Sequence, residues 1–228
     1  MNMEEIRIFS LGETALTVEF GTAISEHLNQ KAIALAEHFR LNPFRGLIES
    51  VPAYASATLF YDPILVRSEF GEFTSSFDAV SSLVANALEI LDPNNGGNSR
   101  MVEIPVRFDT DGEFDLAFVA MSNGLSMVEA IGIFTSVIYR VYMLGFLPGF
   151  SYMGTVDERI ATLRKKTPRT HVPAGSVGIA GRQTGIYSLV SPGGWQIIGQ
   201  TAVAMFSPNA DSPCYLRPGD NVKFIAIK

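Results

Sequence analysis

The sequence predicts an α+β protein in two parts: a small N-terminal α/β domain over residues 1–92 and a β-rich domain over residues 99–228. Three observations predict this. Strand–strand–helix patterns follow one another in the first part. Short β-like runs between glycine and proline turns fill most of the second. Between them lies "DPNNGGNSR", Asp92–Arg100, a polar stretch rich in Gly and Asn that reads as a linker.

The elements of the first part follow in order. "IRIFS" and "TALTVEF" read as strands separated by a turn at Gly12. A helix follows, with Ser25 as N-cap and Leu28, Ala32, Leu35, Ala36 and Phe39 at helical spacing. His38 and Arg40 suit its C-terminal dipole, and Asn42-Pro43 stops it. Pro52 separates two further strands, "LIESV" and "SATLFY". A second amphipathic helix aligns Phe73, Phe77, Val80, Val84 and Leu88.

The second part opens with the strand "MVEIPVRF". A helix from about Leu116 ends at Asn123-Gly124, and the next begins with a capping box that pairs Ser126 with Glu129. Its helical signal carries through "YRVYMLGF" before fading. The β-like runs "GSVGIA", "GIYSLV", "WQIIGQT", "AVAMF" and "NVKFIAI" come after it, and read as a barrel or a sandwich.

Composition bounds the function. Hydrophobic residues make up 47% of the 228 and charged residues 18%, so the chain can fill a core and is not disordered. A net charge of −6 argues against a nucleic-acid binder. Residues 1–98 hold 5 Lys+Arg against 13 Asp+Glu, a balance of −8; residues 99–228 hold 12 against 10, a balance of +2. This asymmetry supports two domains. The acidic N-terminal segment does not read as a signal peptide, and no apolar run is long enough for a membrane helix, so a cytoplasmic location is expected. Cys214, the single cysteine, has no partner for an internal disulfide and reads as a buried apolar residue.

From Arg159 to Ala210 there is no Asp or Glu, while six cations occur: Arg159, Arg164, Lys165, Lys166, Arg169 and Arg182. Without counter-charges nearby in sequence, the segment reads either as an anion site lined by Arg and glycine N–H groups, or as a solvated basic loop neutralised by acids from elsewhere. Arg169 and Arg182, set among Gly, Pro and small polar residues, are the candidates for ordered positions; Lys165 and Lys166 suit the surface. Gly175, Gly178 and Gly181 match neither a P-loop nor a dinucleotide fingerprint, so they read as strand corners or as points of close approach. In "GFLPGFSYMG", Phe146, Phe150 and Tyr152 stand beside Pro148 on a Gly-rich loop, which points to a pocket or an interface. Trp195 after "SPGG" suits a core anchor. His27 and His38 read as solvated, whereas His171 in the basic segment could touch a ligand. No metal-ligand spacing and no nucleophile elbow occur, so the chain's own residues look suited to binding and positioning.

The blocks "YRVYMLGFLPGFSYMG", "TPRTHVPAGSVGIAGRQTGIY", "SPGGWQIIGQT" and "LRPGDNVKF", with "GETALTVEFG" further upstream, resemble the family of the 5-oxoprolinase B subunit. That family is also known as allophanate hydrolase subunit 1 and includes a bacterial sporulation-kinase inhibitor. The resemblance spans nearly the whole chain. It implies a cyclophilin-like β-barrel for the second domain. It implies a hydrolase acting in a complex with subunits C and A, which opens 5-oxo-L-proline to L-glutamate using ATP. The alternatives it implies are a regulatory protein that inhibits a histidine kinase, or an allophanate hydrolase component. For a small anionic substrate, Arg169, His171, Arg182, Gln183, Thr184 and Tyr187 are the binding candidates. Phe146, Pro148, Phe150, Tyr152, Pro173, Gly175 and Trp195 are the pocket or interface candidates. Phe134 stands where the family commonly has histidine, which removes a titratable group from the helix before "YRV". Ser151 stands where the family commonly has proline.

Overall fold

The computed structural model describes residues 6–91 and 99–227. The chain divides into two compact units, one up to residue 98 and one from Ser99. Residues 92–98, most of the segment that reads as a linker, lie outside the described residues.

The first unit is a four-stranded antiparallel sheet with helices. Strands β1 (Arg7–Ser10), β2 (Ala15–Glu19), β3 (Leu47–Pro52) and β4 (Ser56–Tyr61) lie in the order β1-β2-β4-β3. Helix α1 (Glu26–Leu41) starts where Ser25 Oγ accepts the Leu28 N–H at 3.2 Å. Its apolar stripe of Leu28, Ala32, Leu35 and Phe39 packs on Leu16, Val18, Ala57 and Leu59 of the sheet. Helix α2 (Pro63–Glu69) is an element that periodicity does not reveal, because seven residues complete barely two turns. Its start is nonetheless chemically marked: Asp62 accepts from the N–H groups of Ile64 and Leu65, and Pro63 takes the first turn. Helix α3 (Ser76–Ile90) buries Ala79, Val80, Val84 and Ala87, while Phe73 falls before its start.

The second unit is a closed seven-stranded barrel. Its strands are β5 (Met101–Phe108), β6 (Ile138–Leu144), β7 (Ser151–Gly154), β9 (Ser176–Ala180), β10 (Gln183–Ile186), β12 (Gln196–Gln200) and β13 (Asn221–Ile227). The order around the barrel is β10-β7-β6-β13-β5-β12-β9. The short strands β8 (Arg169–Val172) and β11 (Ser191–Gly193) pair with each other as a separate ribbon. The helices α4 (Leu116–Ser122) and α5 (Met127–Ser136) contribute to the same core. The expected capping box is present in both directions: Ser126 accepts from the Glu129 N–H, and Glu129 accepts from the Ser126 N–H. The α+β expectation and the barrel alternative therefore hold.

Strand alternation sorts the side chains into two sets. One set, with Ile104, Val106, Val141, Met153, Val177, Ile179, Ile186, Val222 and Phe224, fills the barrel core together with Leu116, Val119 and Phe134 from the helices. The other set lies on the opposite face of β7, β9 and β10 and forms a smaller cluster around Phe150, Tyr187 and Trp195.

Two expectations need correcting. "YRVYMLGF" does not continue the helix: α5 ends at Ser136, Val137 is already extended (φ −87°, ψ 146°), and residues 138–144 form β6. The β-branched residues Val137, Ile138 and Val141 and the tyrosines between them favour a pleated strand, where Tyr139 and Val141 alternate into the core. "AVAMF" is not a strand either. Met205 is buried, and Phe206 makes only an isolated bridge to Cys214, itself half-buried rather than core.

Candidate functional site

The site forms on the opposite face of β7, β10 and β9. Register places Tyr152, Gly185 and Gly178 in one row across the three strands. Two adjacent glycines leave this face without side chains, and aromatic rings lie directly on the backbone. A Cβ on Gly185 would stand 2.6 Å from Ser151 O and 3.1 Å from both Phe150 Cζ and Trp195 Cζ3. Glycine is required there for close approach, not for an unusual φ.

Five aromatics meet on this floor. Phe150 is the hub: its ring centroid lies 4.8 Å from Tyr152, 5.1 Å from Tyr187, 5.5 Å from Trp195 and 5.5 Å from Phe146, all near edge-to-face. Phe150 and Tyr187 are buried, Trp195 nearly so, and Tyr152 half-buried. Phe146 is held at φ +67°, and the residue is 61% exposed. A bulky residue in that conformation is strained, and it turns an apolar ring towards solvent. Burial pushes the Tyr187 phenol above its ordinary range, against the Trp195 N–H and Arg164. Burial likewise raises Tyr152, with Arg164 opposing. Both phenols stay neutral at physiological pH.

Acids from outside the segment pair with four of its six cations, in line with the second of the two readings. Arg169 is not a free anion receptor. It forms a two-pronged pair with Asp115, Nη1 to Oδ2 at 2.6 Å and Nη2 to Oδ1 at 2.8 Å, and lies over Phe114 at 5.8 Å. Asp115 also accepts from Lys165 Nζ at 2.9 Å and from the Ile197 N–H at 2.8 Å. Burial alone would raise this carboxyl, but Arg169, Lys165 and Ile197 outweigh it and hold it below its ordinary value. Arg182 pairs with Glu158 at 2.8 Å on the surface, and Arg159 with Asp157 at 2.8 Å. The counter-charges absent from residues 159–210 are thus supplied from outside them. Lys165 is correspondingly not a free surface lysine.

The remaining expected residues are placed as follows. Thr184 is fully buried, its hydroxyl donating to Gly178 O at 2.9 Å. Gln183 lies one position before it on β10, at the end away from Phe150. His171 is exposed on β8, and Pro148 is exposed beside Phe146. Gly175, at φ +82°, closes a corner: its N–H donates to Tyr187 O, it accepts from the Thr201 N–H, and any Cβ would collide with Thr201 O. Pro173 precedes that corner, half-buried. The structure therefore unites Phe146, Phe150, Tyr152, Tyr187 and Trp195, keeps Arg169 at their rim through Phe114, and leaves Arg182 and Gln183 elsewhere on β10 or its turn.

Two residues escape sequence reasoning. Asp115 lies far from Arg169 in sequence and carries no local signal. Arg164 is hidden in the run "RKK", yet its guanidinium lies over Gly194: a methyl there would stand 3.6 Å from Nη2 and 3.7 Å from Nε. Phe134, by contrast, is an interior residue. It is 1% exposed, and its ring lies 4.9 Å from that of Phe224 and 5.0 Å from that of Tyr139, whose hydroxyl donates to Phe134 O. In this chain that position packs the core. Among the described residues no cluster of His, Cys, Asp or Glu could hold a metal ion. The site offers a cluster of aromatic rings with the Arg164 guanidinium close enough for its charge to reach two of their phenols.

Comparison with known proteins agrees end to end. Residues 6–216 match the family "Carboxyltransferase domain, subdomain C and D". The chain is 46% identical to the 5-oxoprolinase B subunit of Bacillus subtilis (strain 168), over 97% of this chain and 92% of that protein. It is 39% identical to the 5-oxoprolinase B subunit of Escherichia coli O157:H7, over 99% and 98% respectively. The crystal structure of TTHA0988 superposes with a TM-score of 0.80 at 39% identity, covering 98% of this chain and 40% of the other, so this chain spans about two fifths of that structure's length. On this evidence the chain belongs to the carboxyltransferase subdomain C and D family and, within it, to the family of 5-oxoprolinase B subunits.

Proposed function

We propose that this chain is the B subunit of a 5-oxoprolinase, which together with subunits C and A opens 5-oxo-L-proline to L-glutamate with hydrolysis of ATP. The observation that carries this is the near full-length identity to two proteins of that name. The site is chemically compatible. 5-Oxoproline is a small five-membered lactam with one carboxylate, and the aromatic surface edged by Arg164 offers an apolar face and a cation for the two parts. The chain's own contribution is binding and orientation. Tyr152 and Tyr187 are held neutral, and Phe134 cannot titrate.

The ATP step is assigned to the assembly. In this chain Gly175 and Gly181 occupy left-handed corners at φ +82° and +62° within β-structure, with no helix following, so they do not build a phosphate loop. The N-terminus of α5 is already occupied by its capping box. The test is reconstitution. Purified chain mixed with subunits A and C, 5-oxo-L-proline and ATP is expected to release glutamate at a rate that vanishes when this chain or ATP is omitted. Absence of ATP-dependent glutamate, where a B subunit from a known 5-oxoprolinase restores it, sinks the proposal.

A further inference from the structure

The Arg164 side chain is exposed, whereas the backbone on either side of it is tied down. On one side of it, the Leu163 carbonyl accepts from Gln196 Nε2 at 2.9 Å, and Gln196 is only 4% exposed. On the other, the Lys165 N–H donates to Gly194 O at 2.7 Å, and Lys165 Nζ is tied to Asp115. The backbone at position 164 is therefore held from both sides. Four neighbouring cations (Arg159, Lys165, Arg169 and Arg182) each have a carboxylate partner. No carboxylate among the described residues pairs with Arg164. Its guanidinium stays over Gly194, where its field reaches the phenols of Tyr152 and Tyr187. A cation with a tethered backbone, no carboxylate partner among the described residues and two phenols within reach of its field is available to an external anion.

We propose that Arg164 is the carboxylate anchor of a small cyclic acid whose ring lies against Phe146 and Tyr152. Identifying that acid as 5-oxo-L-proline rests on the function proposed above. The planar guanidinium binds the carboxylate through two parallel N–H···O bonds, and the half-exposed rings cover one face of the lactam. Arg169 stays with Asp115 and takes no part in ligand binding. Arg164 thus sets the requirement for an acid rather than a neutral lactam.

Trp195 is the only tryptophan, and its ring lies 5.8 Å from that of Tyr152, so its emission reports on the site. The purified full chain is titrated with 5-oxo-L-proline and with 5-oxo-L-prolinamide, the neutral carboxamide. Wild type is expected to give a saturable response to the acid and a weaker one to the amide. Arg164→Gln is expected to weaken acid binding by roughly 10- to 100-fold, the loss of a charged hydrogen-bonded pair, and to leave amide binding unchanged. Arg164→Lys keeps the charge and should fall between, with melting curves confirming that both variants fold. If neither variant folds, the preference of wild type for acid over amide decides. No saturable response, equal binding of acid and amide by wild type, or undiminished acid binding by Arg164→Gln overturns the anchor. Acid binding that depends on Arg164, combined with a reconstituted assembly that makes no glutamate, instead overturns the enzymatic proposal and leaves the anchor standing.

Discussion

On β7, β9 and β10 the core-facing side carries Met153, Val177, Ile179 and Ile186, with Thr184 bonded internally, whereas the opposite side carries Tyr152, Gly178, Ala180 and Gly185. The first face fills volume with aliphatic side chains. The second gives up side chains at Gly178 and Gly185 so that Phe150 and Trp195 can lie on bare backbone, and leaves Phe146 exposed. Strand alternation lets one segment do both jobs. The difference teaches that the core face is built for stability, while the other face puts stability at risk to hold aromatic rings in close mutual contact.

Substitutions separate the two faces by size of effect. Phe134→Ala removes a ring packed between Tyr139 and Phe224 and is expected to cost about 3–5 kcal/mol in chemical denaturation. A cost under about 1 kcal/mol would show that the core relaxes around it. Gly175→Ala strains a left-handed corner and collides with Thr201 O, with about 3 kcal/mol expected from the same measurement. Arg169→Ala leaves the buried Asp115 carboxylate with Lys165 and the Ile197 N–H, and about 2 kcal/mol of stability should be lost.

The Asp115 network also sets a pH dependence. Its carboxyl is depressed in the folded state, so its contribution is fully present above the ordinary carboxylate value of 3.8 and fades as pH falls through the lower folded value. The stability gap between wild type and Asp115→Asn should therefore close on acidification; a gap that persists well below the folded value would show that the carboxylate is not the source. The smallest effect on stability is expected at Arg164. Arg164→Gln should change it by under about 0.5 kcal/mol, because this cation has no carboxylate partner among the described residues. A large loss there would make Arg164 structural and blur the contrast between the faces.

The sequence is most informative where signals are local. Ser25 and the Ser126–Glu129 pair mark helix starts within a residue or so, and "MVEIPVRF" and "NVKFIAI" match their strands. It is least informative where partners are distant. The ribbon strands Arg169–Val172 and Ser191–Gly193 are too short to show a period and exist through each other. The segment Ile138–Leu144 carries apolar spacing compatible with either period, and pairing with β7 and β13 decides it. The aromatic group is legible because Gly and Pro flank it. Asp115 is not, because nothing near it in the chain announces that Arg169 and Lys165 will converge on it. Arg164 is obscured for the opposite reason: charge runs are usually solvated, and only the bonds at Leu163 and Lys165 distinguish it from Lys166.

One pairing has a consequence for how the chain is made. β13 runs parallel to β5 in register from Asn221 opposite Met101 to Ile227 opposite Arg107, joining the opening strand of the barrel unit to its final one. During synthesis the opening strand waits with both edges unpaired until β12 emerges, and with its β13 edge unpaired until nearly the whole unit has emerged, so closure cannot be approached by adding neighbours one at a time. Such long-range pairing makes folding slow, and it makes the nascent chain, rather than the finished barrel, the species most in need of protection from aggregation.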